Sequence, residues 1–407
     1  MDIRITGARL SGSVPAPPSK SAGHRLLLGA ALAEGTSVLH GMAPSQDILA
    51  TIDAARALGA KIETEECPGG FTARVTGPLR ASLGAECPCR ESGSTERFFL
   101  PVAAALGGET TFTGTGRLPE RPLGPLAGAL QTHGARLSRC DGMPFTVEGP
   151  VTPGVYELPG DVSSQYITGL LFALPLLGEE SEIALTTPLQ SAGYVDLTVR
   201  TLARFGVRVS RTARGYTVPG RQTYRPLEAD VEGDWSGGAF WLAAAFLGAH
   251  VRVAGLDRRS AQGDRAAADI LRAFEGAGEA RVDCADIPDL VPPLAIAAAG
   301  RKGVTRFVGA GRLRLKESDR ISSVCACIEA LGGRARAWED GFAVSGNGSL
   351  RGGTADAQGD HRIAMAAAVA AVICEEPVVI LGAQAVEKSY PDFFTRFREL
   401  GGKFDVL

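Results

Sequence analysis

The stretch Ala57-Leu58-Gly59-Ala60-Lys61-Ile62, followed by Phe71-Thr72-Ala73-Arg74-Val75-Thr76-Gly77, carries the phrase from which this chain is built. An apolar-periodic helix ends at Leu58-Gly59, where a glycine accepts the positive φ of a helix C-cap at little cost. Alternating residues on either side of a turn then read as two half-buried strands. The phrase returns at His133-Gly134-Ala135-Arg136-Leu137, at Phe205-Gly206-Val207-Arg208-Val209 and at Leu331-Gly332-Gly333-Arg334-Ala335, each time with a second short strand after it. A half copy, Leu400-Gly401-Gly402-Lys403-Phe404, closes the chain, and a degenerate copy falls near Gly276. The interval between marker glycines is too long for an ordinary solenoid, so the pattern predicts six α/β units.

Working outward from these markers, many units open on a second shared feature: a short polar start before a fully apolar run. Ser19-Lys20-Ser21 precedes Leu26–Leu32, and Ser92-Gly93-Ser94-Thr95 precedes Phe98–Leu106. Ser163-Ser164-Gln165 precedes Ile167–Leu177, Gly233-Asp234-Trp235-Ser236 precedes Ala239–Leu247, and Gly359-Asp360-His361-Arg362 precedes Ile363–Cys374. Helices apolar on most faces are buried, and Ser or Asp at their starts caps them. Capping alone explains any one start. It does not explain why Lys20, Arg25, Arg97 and Arg362 stand in or near first turns, where the helix dipole disfavours a cation unless an anion binds there.

Bulk properties narrow the class. A chain of 407 residues, 45% hydrophobic and 21% charged, suits a multi-domain globular protein. A formal net charge of −3 gives no reason to expect nucleic acid or an anionic membrane as partner. Met1–Thr6 alternates like a strand and lacks the character of a targeting leader, and no apolar run is long enough to span a bilayer, so a cytoplasmic location is expected. The eight cysteines include Cys87-Pro88-Cys89 and Cys325-Ala326-Cys327, a poor spacing for a tetrahedral metal site, and are read as reduced thiols. No metal and no cofactor are expected.

Six strings, taken in order, resemble the motifs of one family. They are Pro18-Ser19-Lys20-Ser21-Ala22-Gly23-His24-Arg25, Gly160-Asp161-Val162-Ser163-Ser164-Gln165-Tyr166, Ile287-Pro288-Asp289, Gly311–Arg320, Gly359–Met365 and Lys388-Ser389-Tyr390-Pro391-Asp392. Together they resemble the 5-enolpyruvylshikimate-3-phosphate (EPSP) synthases over nearly the whole chain. The resemblance implies an α/β fold of two similar domains, each of three pseudo-symmetric βαβαββ-like units with buried helices, joined by a double-crossover hinge. Residues 21–225 would form one domain and residues 1–20 with 226–407 the other, with the active site in the cleft between them. It further implies transfer of the carboxyvinyl group of phosphoenolpyruvate to the 5-hydroxyl of shikimate 3-phosphate, by a monomer.

Such a reaction must hold two phosphates and two carboxylates and move protons, work for fixed cations and paired acids. By resemblance, shikimate 3-phosphate would be held by Lys20, Ser21, Arg25, Ser163, Ser164, Gln165, Ser191, Tyr194, Asp289 and Lys316. Phosphoenolpyruvate would be held by Lys20, Gly93, Arg97, Arg121, Gln165, Arg320, Arg362 and Lys388. Lys20, Asp289 and Glu317 would be catalytic: Glu317 toward the methylene carbon, Asp289 toward the 5-hydroxyl. His361 and Arg312 are left without a role, since capping or packing explains the first equally well. Around Gly93 the chain departs from the family pattern: Glu91-Ser92-Gly93-Ser94-Thr95-Glu96-Arg97 brings in two carboxylates, and Glu91 is expected to point away from the pocket. Gly93 itself implies glyphosate sensitivity, against those departures.

Two rivals make different demands. A UDP-N-acetylglucosamine enolpyruvyl transferase would carry Lys-Asn where Lys20-Ser21 stands, and a reactive cysteine that Pro119–Pro122 lacks. A ring-like DNA clamp of α/β repeats would need basic helices facing solvent rather than cations beside paired carboxylates.

Overall fold

The computed structural model describes residues 1–407, and the chain divides into two compact units: Pro18–Val231, and Met1–Pro17 with Glu232–Leu407. Within Pro18–Val231 the repeat becomes three four-stranded sheets of one topology. The middle one runs Ser82–Pro88, Gly108–Thr113, Phe145–Glu148, Arg136–Leu137; its first pair is parallel and the others antiparallel. Val155–Leu158, Ser181–Leu185, Gly215–Val218 and Ser210–Arg211 repeat the pattern. In the remaining sheet the outer parallel strand comes from far along the chain: Glu228–Asp230 pairs with Thr36–Met42. That strand, which the sequence pattern had put in the other domain, therefore belongs to this unit, because its backbone groups are satisfied here.

The second unit contains two such sheets, opened by Ala280–Asp283 with Lys302–Val308 and by Gly353–Asp356 with Val378–Leu381. The latter is completed by the chain start, Ile3–Gly7, antiparallel to both Val378–Leu381 and Lys403–Val406. Its third repeat differs from expectation. Ser11–Pro15 pairs in parallel with His250–Ala254, and no antiparallel hairpin follows. After the helix Ala267–Ala273 and Gly276, with φ +94°, the next strand is Ala280–Asp283, which already opens the following sheet. The degenerate phrase near Gly276 is the trace of that missing hairpin.

The apolar runs form the buried helices. Lys20–Leu32, Gly93–Leu106 and Ser164–Ala173 lie in the first unit, and Trp235–Phe246, Val291–Gly300 and His361–Ala370 in the second. Five start on a side-chain cap: Ser19 accepts from Ala22 N, Ser92 from Thr95 N, Ser163 from Gln165 N, Asp234 from Ser236 N and Asp360 from Arg362 N. Val291–Gly300 has no such cap and begins Val291-Pro292-Pro293, so no polar start marks it in the sequence. Fully buried side chains such as Phe98, Phe172 and Trp241 fill these interiors, each contributing roughly 1.5–3 kcal/mol. A glycine sets one approach that matters for function. A Cβ at Gly169 would collide with the carbonyl oxygen of Arg97, so its absence lets Ser164–Ala173 close on Gly93–Leu106. No helix is long and apolar enough to cross a membrane.

Candidate active site

The residues singled out in the sequence fall into two groups, one in each unit. In Pro18–Val231 the close helix pair brings Gln165 onto Arg97: Arg97 Nη1 donates to Gln165 Oε1 at 2.8 Å, while Gln165 Nε2 donates to Ser94 Oγ at 2.9 Å. Arg97 Nη2 donates to the Pro122 carbonyl, and the guanidinium lies 5.8 Å from the Tyr166 ring centroid. Arg121 reaches the same spot. A methyl group on Gly93 would lie 2.5 Å from Arg97 Nη1 and 2.7 Å from Arg121 Nη1. Gly93 is thus the floor beneath two converging guanidiniums at a helix N-terminus, an arrangement suited to a multiply charged anion.

Arg25 makes a second anchor. It is 3% exposed, yet its bonds go to neutral oxygens: Thr198 Oγ1 at 2.8 Å, the Ser21 carbonyl at 2.7 Å and the Tyr194 carbonyl at 3.0 Å. Burial pushes its guanidinium down to about 10. A buried cation among neutral acceptors is built to meet an anion. Ser191, the residue before the helix Ala192–Arg204, sits in the left-handed region at φ 57° and is 2% exposed, a conformation non-glycine residues adopt mainly under constraint. Ser163 caps its helix and Ser164 is buried beside it. Lys20 ion-pairs with Asp47 at 2.7 Å. Asp47 went unnoticed in the sequence, although Ser45-Gln46-Asp47 has the same polar-start form. His24, given no role, donates or accepts at 2.6 Å with Thr51 Oγ1, and burial pushes its imidazole down to about 3. Glu91 is half-buried with its carboxylate against Gly116.

In the second unit everything turns on Arg320, 1% exposed at the first position of the helix Arg320–Ala330. Its Nε pairs with Asp360 Oδ2 at 2.8 Å, its Nη1 with Asp289 Oδ1 at 2.8 Å and its Nη2 with Glu317 Oε2 at 2.6 Å. Asp289 takes a second arginine through its other oxygen, Arg362 Nη2 at 2.9 Å. Arg362 also donates to Ser236 Oγ and to the Asp289 carbonyl. Burial works against a charge on Asp289, but Arg362, Lys316 and Arg320 outweigh it and hold the carboxyl well below its usual range. Burial pushes the Lys316 amine down to about 7; Asp289 and Glu317 favour its charge, Arg312 and Arg320 oppose it. Arg312 donates to the Ala285 carbonyl at 2.7 Å, Lys388 is 7% exposed, and His361 is buried 3.7 Å from Asp360. Asp360 belongs to the Gly359–Met365 motif, and nothing in the sequence gives it a role beyond capping. It both caps a helix through Arg362 N and anchors Arg320, and its place before an apolar run signalled only the first.

The whole fold is shared with solved structures. The EPSP synthase from Acinetobacter baumannii superposes with a TM-score of 0.80 at 24% identity, covering 100% of both chains. The enolpyruvyl transferase NikO from Streptomyces tendae gives 0.80 at 17%, covering 99% of this chain and 98% of that one. At such identity these likenesses show the fold alone. Sequence goes further. The profile of EPSP synthase (3-phosphoshikimate 1-carboxyvinyltransferase) matches residues 5–397. A Clostridium novyi protein named 3-phosphoshikimate 1-carboxyvinyltransferase is 39% identical, covering 99% of this chain and 98% of its own. One of the same name from Clostridium kluyveri is 40% identical with the same coverage. The chain belongs to the EPSP synthase family.

Proposed function

We propose that this chain transfers the enolpyruvyl group of phosphoenolpyruvate to the 5-hydroxyl of shikimate 3-phosphate. The observation that carries the reading is the Arg320 cluster, in which two candidate proton-transfer groups, Asp289 and Glu317, are bound to arginines that suit an anionic donor. In the addition step the 5-oxygen bonds to C2 of the donor, its proton passes to Asp289, and C3 takes a proton from Glu317, which has taken one up from solvent as the donor binds. In the elimination step Glu317 takes a proton back from C3, the C2=C3 bond re-forms and the C2–O bond to the phosphate breaks, and the released inorganic phosphate carries away the proton held by Asp289. Arginine-bound carboxylates are poor bases. Donor binding to Arg320 and Arg362 draws those guanidiniums toward its phosphate and carboxylate, freeing Asp289 and Glu317 to exchange protons only when the donor is present. Arg97, Arg121, Gln165, Lys20 and Lys388 complete the donor's contacts; Arg25, Ser21, Ser163, Ser164, Ser191, Tyr194 and Lys316 serve the acceptor.

The test is phosphate release by the purified chain given phosphoenolpyruvate with either shikimate 3-phosphate or UDP-N-acetylglucosamine. Release with shikimate 3-phosphate alone is expected; release with the nucleotide sugar alone would overturn the acceptor assignment. We read the enzyme as a cytoplasmic monomer, and its eight free thiols support a reducing compartment.

Two further outcomes are expected. Gly93→Ala crowds both guanidiniums, so KM for phosphoenolpyruvate rises about tenfold while KM for shikimate 3-phosphate stays within twofold; steady-state kinetics with each substrate varied checks this. The Lys316 ammonium attracts the acceptor anion below its pKa and loses that attraction above it. Affinity of the donor-free protein for shikimate 3-phosphate therefore falls as pH rises through about 7, by up to about tenfold per pH unit. Lys316→Arg keeps the charge and removes that part of the slope in calorimetric titrations.

A further inference from the structure

Glu96 has no part in the reaction as described, yet it lies against the residues read as holding the donor. It stands in the first turn of Gly93–Leu106, 2% exposed, one position before Arg97. Its Oε2 is 3.8 Å from Arg97 Nε, too long for a hydrogen bond, and neither of those two buried atoms makes a hydrogen bond with any other group. A buried carboxylate oxygen and a buried guanidinium N–H facing each other unbonded is a costly arrangement to keep. It is understandable where the guanidinium serves an incoming anion and the carboxylate answers to its arrival.

We propose that Glu96 is a built-in rival of phosphoenolpyruvate for Arg97 and Arg121: ionised, it neutralises part of their charge, and it takes up a proton from solvent when the donor binds. Glu96 thereby acts as a positioning residue that sets donor affinity and its pH dependence. This rests on the reading that Arg97 and Arg121 receive the donor.

The charged and titratable groups around it are few. Arg97 shares its helix, Arg121 comes from the loop after Leu118–Glu120, Tyr166 faces it from Ser164–Ala173, and Cys89 lies just before its helix with Cys87 behind. Burial raises the Glu96 carboxyl above its usual value of 4.5, and Arg97 and Arg121 partly restore it. Both neighbours of phenol and thiol type are themselves pushed up by burial and stay neutral. The donor's negative charge cancels the two arginines and raises Glu96 further. Between its donor-free and donor-bound pKa values, binding therefore consumes a proton, and KM for phosphoenolpyruvate rises with pH, by at most about tenfold per unit.

The test uses the full chain and two kinetic readouts between about pH 5.5 and 9. Glu96→Gln mimics the protonated state. Its KM for phosphoenolpyruvate is expected to fall about tenfold or more at the alkaline end and to converge with the parent at the acid end, with KM for shikimate 3-phosphate unchanged. Sulfate, an anion that does not titrate in this range, serves as a second probe: its competitive inhibition constant against phosphoenolpyruvate should rise with pH in the unaltered protein and stay flat in Glu96→Gln. An unchanged or raised KM with the parent's pH slope overturns the proposal and leaves Glu96 as a first-turn carboxylate serving the helix dipole. Should Glu96→Gln not fold, a pH-independent sulfate constant in the unaltered protein overturns it equally. Arg121→Gln separates the two levels: if KM for phosphoenolpyruvate is unmoved there, the placing of the donor on Arg121 fails, whatever Glu96 does.

Discussion

Glu317→Gln is expected to lower kcat by about 10²–10⁴-fold, with KM for either substrate changed far less. The Glu317 side chain is 15% exposed and accepts at Oε2 from Arg320 Nη2 at 2.6 Å. An amide has nearly the same shape and keeps an oxygen for that bond, but it can neither deliver a proton to the methylene carbon nor remove one. The loss therefore falls on the chemical step, and thermal unfolding should move by only a few degrees. A kcat within threefold of the parent would remove Glu317 from proton transfer. Solvent isotope effects on the residual rate would then show whether another group carries the proton.

Arg320→Met is the more destructive change, and for a different reason. Arg320 is 1% exposed and binds three carboxylates at once, those of Asp360, Asp289 and Glu317, whose side chains are 0%, 20% and 15% exposed. Removing one partner of a buried ion pair costs about 3–5 kcal/mol, because the charges left behind are neither solvated nor paired. Denaturant unfolding at neutral pH should show a loss of at least that order, together with loss of turnover. Arg320→Lys should recover little, since an ammonium cannot present three N–H groups in a planar fork.

The pH dependence of that loss has a definite sign. Burial opposes the charge of Asp360 and of Asp289, yet Arg320 and neighbouring cations hold both below their usual value of 3.8. Groups with depressed folded-state pKa values contribute stability above the unfolded value, and the contribution is lost as pH falls through the folded one. In Arg320→Met, Asp360 loses its principal counter-charge, so its carboxyl rises instead and protonation relieves the strain. The gap in stability between parent and variant should therefore narrow as pH is lowered toward about 4. A gap that widened on acidification would mean that Arg320 is not what keeps these acids ionised.

Much of the architecture was legible because it rests on short-range rules. The Leu-Gly phrase marks helix ends whose glycines take positive φ, as Gly59, Gly134, Gly206, Gly276, Gly332 and Gly401 do. The polar starts mark caps that act over two or three residues, and five of them cap as read. The helix Val291–Gly300 escaped because Pro292-Pro293 replaces a capping side chain. The absent hairpin after Gly276 escaped because the strand Ala280–Asp283 exists, but in another sheet. Sheet membership is a long-range matter that an alternating pattern cannot express.

The site divides along the same line. By itself the sequence determined which residues gather at helix starts, and that cations stand where a helix dipole disfavours them, since both follow from 3.6-residue periodicity and capping chemistry. Tertiary structure alone decided which charges meet. Arg320 reaches Asp289 and Asp360 across 31 and 40 residues of chain, and Arg25 finds Thr198 across 173. It also decided that Glu96 turns inward beside Arg97, and that Gly169 brings Gln165 within reach of it. The physical reason is that a first-turn side chain has its height along the helix set by sequence, whereas its partner is set by how closely the next buried helix can pack.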